Sequence, residues 1–174
     1  LACLLLSLSL SACVVNNVAT DYDPQTLFAG IGRYAWAPLK TEDQRFTSLD
    51  QQRIQTATDQ ALTTHAMQPV APAEAELWVQ GGIDLREVRD VSTVQMGGTF
   101  GHPLLVGGDT IVQVQQYTEA VIFVQFIDPK TSRVVWLGQL TRPWSEHMAP
   151  AKREKILHDA VIEILANYPP RSTP

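Results

Sequence analysis

Residues Ile111 to Asp128 read IVQVQQYTEAVIFVQFID. Val, Ile, Tyr and Phe dominate this run, and β-branched and aromatic side chains suit a pleated strand better than a helix. Asp128-Pro129-Lys130-Thr131 follows, with Asp first and Pro second as a type I turn prefers. Arg133 to Leu140 then resumes the β pattern, so the two runs are expected to pair as a hairpin whose apolar side chains can cover a helical layer.

Downstream, Pro150 stands where the first helical residue tolerates a missing N–H. Ile156, Leu157, Ala160, Val161, Ile164, Leu165 and Tyr168 then form one apolar stripe, with Lys152, Glu154, Asp159 and Glu163 on other faces, until Asn167 and Pro169-Pro170 end the helix. Upstream, Leu77, Val79, Gly81 and Ile83 alternate as a strand does, and Gly81-Gly82 suggest a bulge or a close neighbour. From Arg86 to Gly108 the pattern weakens, and MGGTFGHPLLVGG reads as a hairpin tip or mobile loop. Before this, Ser48 and Gln51 make a capping-box pattern, and Leu49, Arg53, Ile54, Ala57, Ala61 and Leu62 recur at helical spacing over about Leu49 to Ala66. Pro69 and Pro72 close that helix as a linker.

Nearer the start, a short strand around Val18, Thr20 and Tyr22 meets a turn at Asp23-Pro24. Leu27, Phe28 and Ile31 suggest a helical turn, and Arg33-Tyr34-Ala35-Trp36 a strand stopped by Pro38, before a polar loop from Thr41 to Thr47. The order is strand, strand, helix, strand, hairpin, helix. This predicts an α+β domain, a mainly antiparallel sheet with two helices packed on one face as a two-layer sandwich.

The chain of 174 residues suits one domain, and 45% apolar with 18% charged residues is an ordinary globular composition. A formal net charge of -5 and no run of Lys or Arg argue against nucleic acid, which needs a basic footprint. Cys3 and Cys13 both precede the body, so neither a disulfide framework nor a four-ligand zinc site can be built from them. After residue 15 the apolar runs have strand length, short of the ~20 residues of a membrane-spanning helix.

The opening LACLLLSLSLSACVV carries no charge. Leu4 to Leu10 followed by Ser11-Ala12 has the shape of a signal-peptide apolar core and cleavage site. A charged leader segment is missing and Leu1 is not Met, so the reading frame is expected to open upstream with Met and Lys or Arg. Leu10-Ser11-Ala12-Cys13 resembles the lipobox of bacterial lipoprotein precursors. That resemblance implies diacylglycerol on the Cys13 sulfur, cleavage before Cys13 and acylation of its new amino group. Each buried methylene contributes roughly 0.8 kcal/mol, and two or three chains anchor stably where one does not. Val14 is not the Asp that retains lipoproteins in the inner membrane, so the periplasmic leaflet of the outer membrane is implied.

Thr20-Asp21-Tyr22-Asp23-Pro24, Phe28, Tyr34-Ala35-Trp36 with Pro38, Arg53-Ile54, Tyr117 and Glu119, Val135-Trp136-Leu137-Gly138, and Ala166-Asn167-Tyr168-Pro169-Pro170 occur in that order. Together they resemble the bacterial lipoprotein family catalogued as domain of unknown function 4136, over nearly the whole mature chain. Arg86 to Gln116 is longer and richer in Gly than the family segment, and Ala120-Val121 replaces the usual small-Thr pair. The resemblance implies a fold and an envelope address and carries no catalytic residues. The expected organisation is a signal peptide over 1–12, a lipidated N-terminus and first strand over 13–24, one domain over 25–170 with a Gly-rich loop or hairpin at about 86–116, and a tail over 171–174.

The chemistry-bearing residues read as structural. Asp21 and Asp23 lie on one side of an extended segment, but calcium wants six or more oxygens and Asp is an ordinary turn residue. His65, His102, His147 and His158 lack metal-ligand spacing, and His158-Asp159 are adjacent on a helix, where neighbours do not face each other. Gly97-Gly98-Thr99-Phe100-Gly101 lacks the Gly-Lys-Ser/Thr ending of a phosphate loop. Trp36, Trp78, Trp136 and Trp144 are core residues or the lining of a binding surface. No cofactor and no metal site is expected. The leading expectation is a non-catalytic, lipid-anchored envelope module that meets a protein partner. A small-molecule or lipid carrier with a cavity between sheet and helices is the alternative, and an unrecognised hydrolase the third.

Overall fold

The computed structural model describes residues 18–37, 48–95 and 110–170. Its elements are β1 (Ala19–Tyr22), β2 (Arg33–Trp36), α1 (Ser48–Thr64), β3 (Gln68–Pro69), β4 (Leu77–Gln95), β5 (Thr110–Asp128), β6 (Arg133–Trp144) and α2 (Pro150–Leu165). They form one six-stranded sheet in the order β1-β6-β5-β4-β2-β3. The pairs β1–β6, β6–β5 and β5–β4 are antiparallel, whereas β2 is parallel to both β3 and β4. The α+β class and the mainly antiparallel sheet agree with the sequence reading. The parallel pair follows from α1, the crossover that parallel strands require.

The β5–β6 connection is the hairpin read from the sequence. Asp128 holds it through its carboxylate, which accepts from the Lys130 N–H at 2.8 Å and the Thr131 hydroxyl at 2.9 Å. The closing backbone bond comes from Ser132 N to Asp128 O at 2.8 Å, one residue later than a four-residue turn closes, and Ser132 takes φ 54. Asp23-Pro24 is also a turn, with Thr26 N donating to Asp23 O at 3.0 Å.

Elsewhere the chain departs from the pattern. Leu27, Phe28 and Ile31 form no helical turn: Leu27 is 86% exposed, and Phe28 instead sets its ring edge-on to Tyr22 and Tyr168. The Pro69 linker contains β3, tied to β2 by Gln68 N donating to Gly32 O and Val70 N, just after the strand, donating to Tyr34 O. α1 ends at Thr64, closed by Met67 N to Leu62 O at 3.0 Å with Ala66 at φ 58. β4 does not stop at Leu85 but pairs with β5 without interruption to Gln95 and Thr110. The Gly-rich stretch 97–108 lies outside the described residues.

Both helices pack on one sheet face. Side chains alternate between faces, and the inward set on β4 is Leu77, Val79, Gly81, Ile83 and Leu85, facing Phe126, Val124, Ile122 and Ala120 on β5 and Trp136, Gly138 and Leu140 on β6. α1 contributes Ile54, Ala57, Ala61 and Leu62, and α2 Leu157, Ala160, Val161, Ile164 and Leu165. Leu49, counted into the first stripe, is instead 57% exposed.

Gly81, Val124 and Gly138 stand side by side in one row across β4, β5 and β6. A Cβ on Gly81 would come within 2.8 Å of Ile54 Cγ2, and one on Gly138 within 2.5 Å of Ile164 Cγ2. The glycines therefore seat one isoleucine from each helix against the sheet backbone. Gly81 marks a close neighbour and not a bulge, since the one register shift lies at Phe126/Ile127 in the β5–β6 pair.

Gly138→Ala is expected to overpack this seat and lower stability by roughly 1–3 kcal/mol, seen as a shifted urea midpoint. Ala66→Gly should act in the opposite sense. It relieves a left-handed residue that costs a side chain about 1 kcal/mol, so its thermal midpoint should rise.

Candidate functional site

The lipobox residues Leu10, Ser11 and Ala12 and the acyl acceptor Cys13 lie outside the described residues, as do Gly97 to Gly101 and His102. The four tryptophans do not converge. Trp136 is fully buried and Trp144 nearly so, both on the helix-covered face. Trp36 shares that face but sits at the β2 edge, where its indole N–H donates to Asp59 Oδ1 at 2.9 Å. Trp78 stands on the opposite face, its N–H 3.4 Å from Pro72 O. Sequence spacing cannot reveal this division, because it depends on the register of four different strands.

Asp21 and Asp23 spend their carboxylates on the local backbone, accepting from Tyr22 N and Gln25 N at 2.9 Å each. Among the described residues no three His, Cys, Asp or Glu side chains gather as metal ligands do. His65 stacks edge-on against Tyr168 at 6.1 Å. His158 Nδ1 lies 3.6 Å from Asp159 Oδ1, against the expectation from helical spacing. Both side chains are about half exposed and bend toward each other over the helix surface. The hydrogen bond from Lys155, foremost, holds the Asp159 carboxyl below its ordinary range.

Two polar clusters went unread in the sequence. Asp59 Oδ1 accepts from Tyr34 Oη at 2.6 Å as well as from Trp36, which ties α1 to β2. Burial, reinforced by this carboxylate, drives the Tyr34 phenol well above its ordinary pKa. Asp50 is fully buried and accepts from Arg53 Nη1 at 2.8 Å and from Arg153 Nη1 at 3.0 Å. Arg153 also donates to Glu146 O at 3.0 Å and lies over the Trp144 ring, 5.0 Å from its centroid. The Asp50–Arg53 spacing of three was visible in the sequence. The Arg153 contact, 103 positions away, was not. The cluster clamps α1, α2 and the end of β6 together, with the Asp50 carboxylate itself fully buried between the two guanidiniums.

The surface offers shallow hollows. One of about 270 Å3 runs between the helices beside Gln52, Arg53, Thr56, Glu154 and His158. Another of about 590 Å3 lies at the β5–β6 turn beside Arg33, Glu74, Glu76, Asp128 and Lys130. The β4–β5 ribbon is different in kind. Core residues stop at Leu85 on β4 and Ala120 on β5, yet the pair continues to Gln95 and Thr110. On this arm Val91 is 60% and Val114 54% exposed, directly opposite one another, and Tyr117 is 44% exposed beside Val88. By the alternation of side chains, Val91 and Val114 lie on the side of the ribbon that continues the helix-facing set, and Val88 and Tyr117 on the opposite side, so each face carries an apolar pair suited to another strand or apolar face.

Asp50→Ala should strand two arginines in the clamp and cost about 3 kcal/mol, measured by urea unfolding, with little change in far-ultraviolet circular dichroism before the transition.

Three solved structures are similar to this chain to different degrees. A PDZ domain protein from Parabacteroides distasonis matches 90% of this chain with a TM-score of 0.58 at 13% identity, and the chain spans 36% of that protein's length. Two crystal forms of the PelC dodecamer from Paraburkholderia phytofirmans each match 86% of the chain with a TM-score of 0.48, at 15% and 14% identity, over 93% and 94% of their own length. No protein of curated function matches in sequence. The DUF4136 family, a domain of unknown function, matches residues 18–170, from the residue before β1 through α2 to Pro170, and the chain belongs to that family.

Proposed function

We propose that this protein is a lipid-anchored envelope module, held at Cys13 in the periplasmic leaflet of the outer membrane, that binds a protein partner without catalysing a reaction. The observation that carries the binding reading is the β4–β5 arm, which extends past the helix-covered core and exposes Val91, Val114 and Tyr117. An isolated two-stranded ribbon is marginal in water, so a partner against it removes apolar surface and stabilises it. The lipobox pattern Leu10-Ser11-Ala12-Cys13 supports the anchor.

The carrier reading needs space between sheet and helices. That space is filled by Trp136, Tyr34, Phe126, Ile54, Leu62, Ile122, Leu140, Leu157 and Ile164, each with less than 2% exposure. Phe126, Trp136 and Tyr168 pack together with ring centroids 4.4 to 5.4 Å apart. A ligand of ordinary size would have to displace this core, so the filled interior favours the binding module.

In cells fed a clickable fatty acid, the wild-type chain should take up label and Cys13→Ser should not; equal labelling of both would overturn the anchor. A photo-crosslinking residue at Tyr117 should capture a protein in intact cells, whereas the same residue at Ile162, exposed on the outer side of α2, should not. Capture at Ile162 alone would move the binding surface away from the arm.

A further inference from the structure

β2 pairs with β4 only from Leu77 to Val79, and among the described residues no other strand lies along the outer edge of β4 beyond that point. From Leu85 to Val91 this edge reads Leu-Arg-Glu-Val-Arg-Asp-Val. The order is charge-palindromic about Val88: Glu87 and Arg89 flank it, then Arg86 and Asp90, then Leu85 and Val91. We propose that β4 pairs antiparallel with β4 of a second copy of this chain, on a two-fold axis through Val88, so that the arm is a dimer interface. This goes beyond the partner-binding reading and is independent of it.

A two-fold axis normal to the sheet is isologous, so each contact occurs twice. In this register Glu87 meets Arg89 of the second copy, Arg86 meets Asp90 of the second copy, and Leu85 meets Val91 of the second copy. The backbone agrees. Val79 O accepts from Ala37 N at 2.9 Å, so Val79 turns its polar groups outward, and alternate residues repeat that direction along an unbroken ladder. Leu85, Glu87, Arg89 and Val91 therefore present N–H and C=O to the edge. Glu87–Arg89 and Leu85–Val91 become hydrogen-bonded pairs, while Val88–Val88 becomes a non-hydrogen-bonded pair with its side chains close.

The charge pattern selects one register. An axis at Glu87 sets Glu87 against itself and Asp84 against Asp90, and an axis at Arg89 sets Arg89 against itself. Like charges directly opposite destabilise a strand pair. Among neighbouring registers, Val88 is the axis that matches each charge between Leu85 and Val91 with its opposite and sets Asp84 against the neutral Ser92. Charges on an edge strand normally deter pairing; this arrangement deters other strands and admits its own copy. Within the chain, Arg89 faces Gln116 and Asp90 faces Gln115 across the β4–β5 ladder, and neither has an ion-pair partner among the described residues. Leu85 and Glu87 have contacts of their own, and Arg86 already donates to the Asp84 carboxylate at 3.0 Å, so pairing exchanges or shares interactions at these three and adds new ones at Val88, Arg89, Asp90 and Val91.

The test uses the full chain, purified alone, in a Cys3→Ser, Cys13→Ser background. Val88→Cys should form a disulfide-linked dimer under mild oxidation, because the paired Cα atoms fall within disulfide range. Asp90→Cys should crosslink poorly, since it lies opposite Arg86. In sedimentation the parent chain should dimerise, Arg89→Glu should weaken the dimer by roughly tenfold or more, and Glu87→Arg with Arg89→Glu in one chain should restore it. Circular dichroism confirms that each variant is folded. A parent chain that stays monomeric, a dimer indifferent to Arg89→Glu, or crosslinking at Asp90→Cys equal to that at Val88→Cys would overturn the proposal.

Discussion

The two helices depend on a row of the sheet in which Gly81 and Gly138 flank Val124. Without a Cβ at either end, Ile54 of α1 and Ile164 of α2 approach the sheet backbone, and Trp136 folds its indole across Gly138. The cost of glycine in a strand, roughly 0.5–1 kcal/mol in lost backbone freedom, is offset by burying two isoleucines and a tryptophan, each worth about 1.5–3 kcal/mol. The rest of the core, from Phe126 to Tyr168, fills in around the seated helices.

Polar links then fix the layers against sliding. Asp59 holds α1 to β2 through Tyr34 and Trp36, Asp50 holds α1 to α2 through Arg153, and Glu163 accepts from Arg142 of β6 at 2.7 Å. These groups have the look of chemistry in isolation: a phenol against a carboxylate, a buried acid between two guanidiniums. In place the Asp50 carboxylate and the Tyr34 ring are buried in the packed interior. Their contribution is to orientation, because a buried charge pair is costly to break even where it adds little net stability.

What remains for function is the part of the sheet that the helices leave uncovered. The β4–β5 ribbon keeps its backbone ladder after the core ends, and neither helix covers it.

The sequence by itself determined the elements with strong periodicity or turn chemistry: the β5–β6 hairpin through Val, Ile and the Asp128 turn, α2 through its apolar stripe, and the α+β class through their order. The family was legible there too, in short motifs from Thr20 to Pro170. Strand parity, the division of the four tryptophans between faces, the Asp50–Arg153 contact and the reach of the arm were decided by tertiary structure. Periodicity reports the direction of a side chain relative to its own segment. It does not report which strand lies alongside, and register and long-range pairing are properties of that neighbour. Weak alternation from Arg86 onward hid a strand for the same reason: among the described residues the core cluster ends at Leu85 on β4, so packing selected no apolar face beyond it.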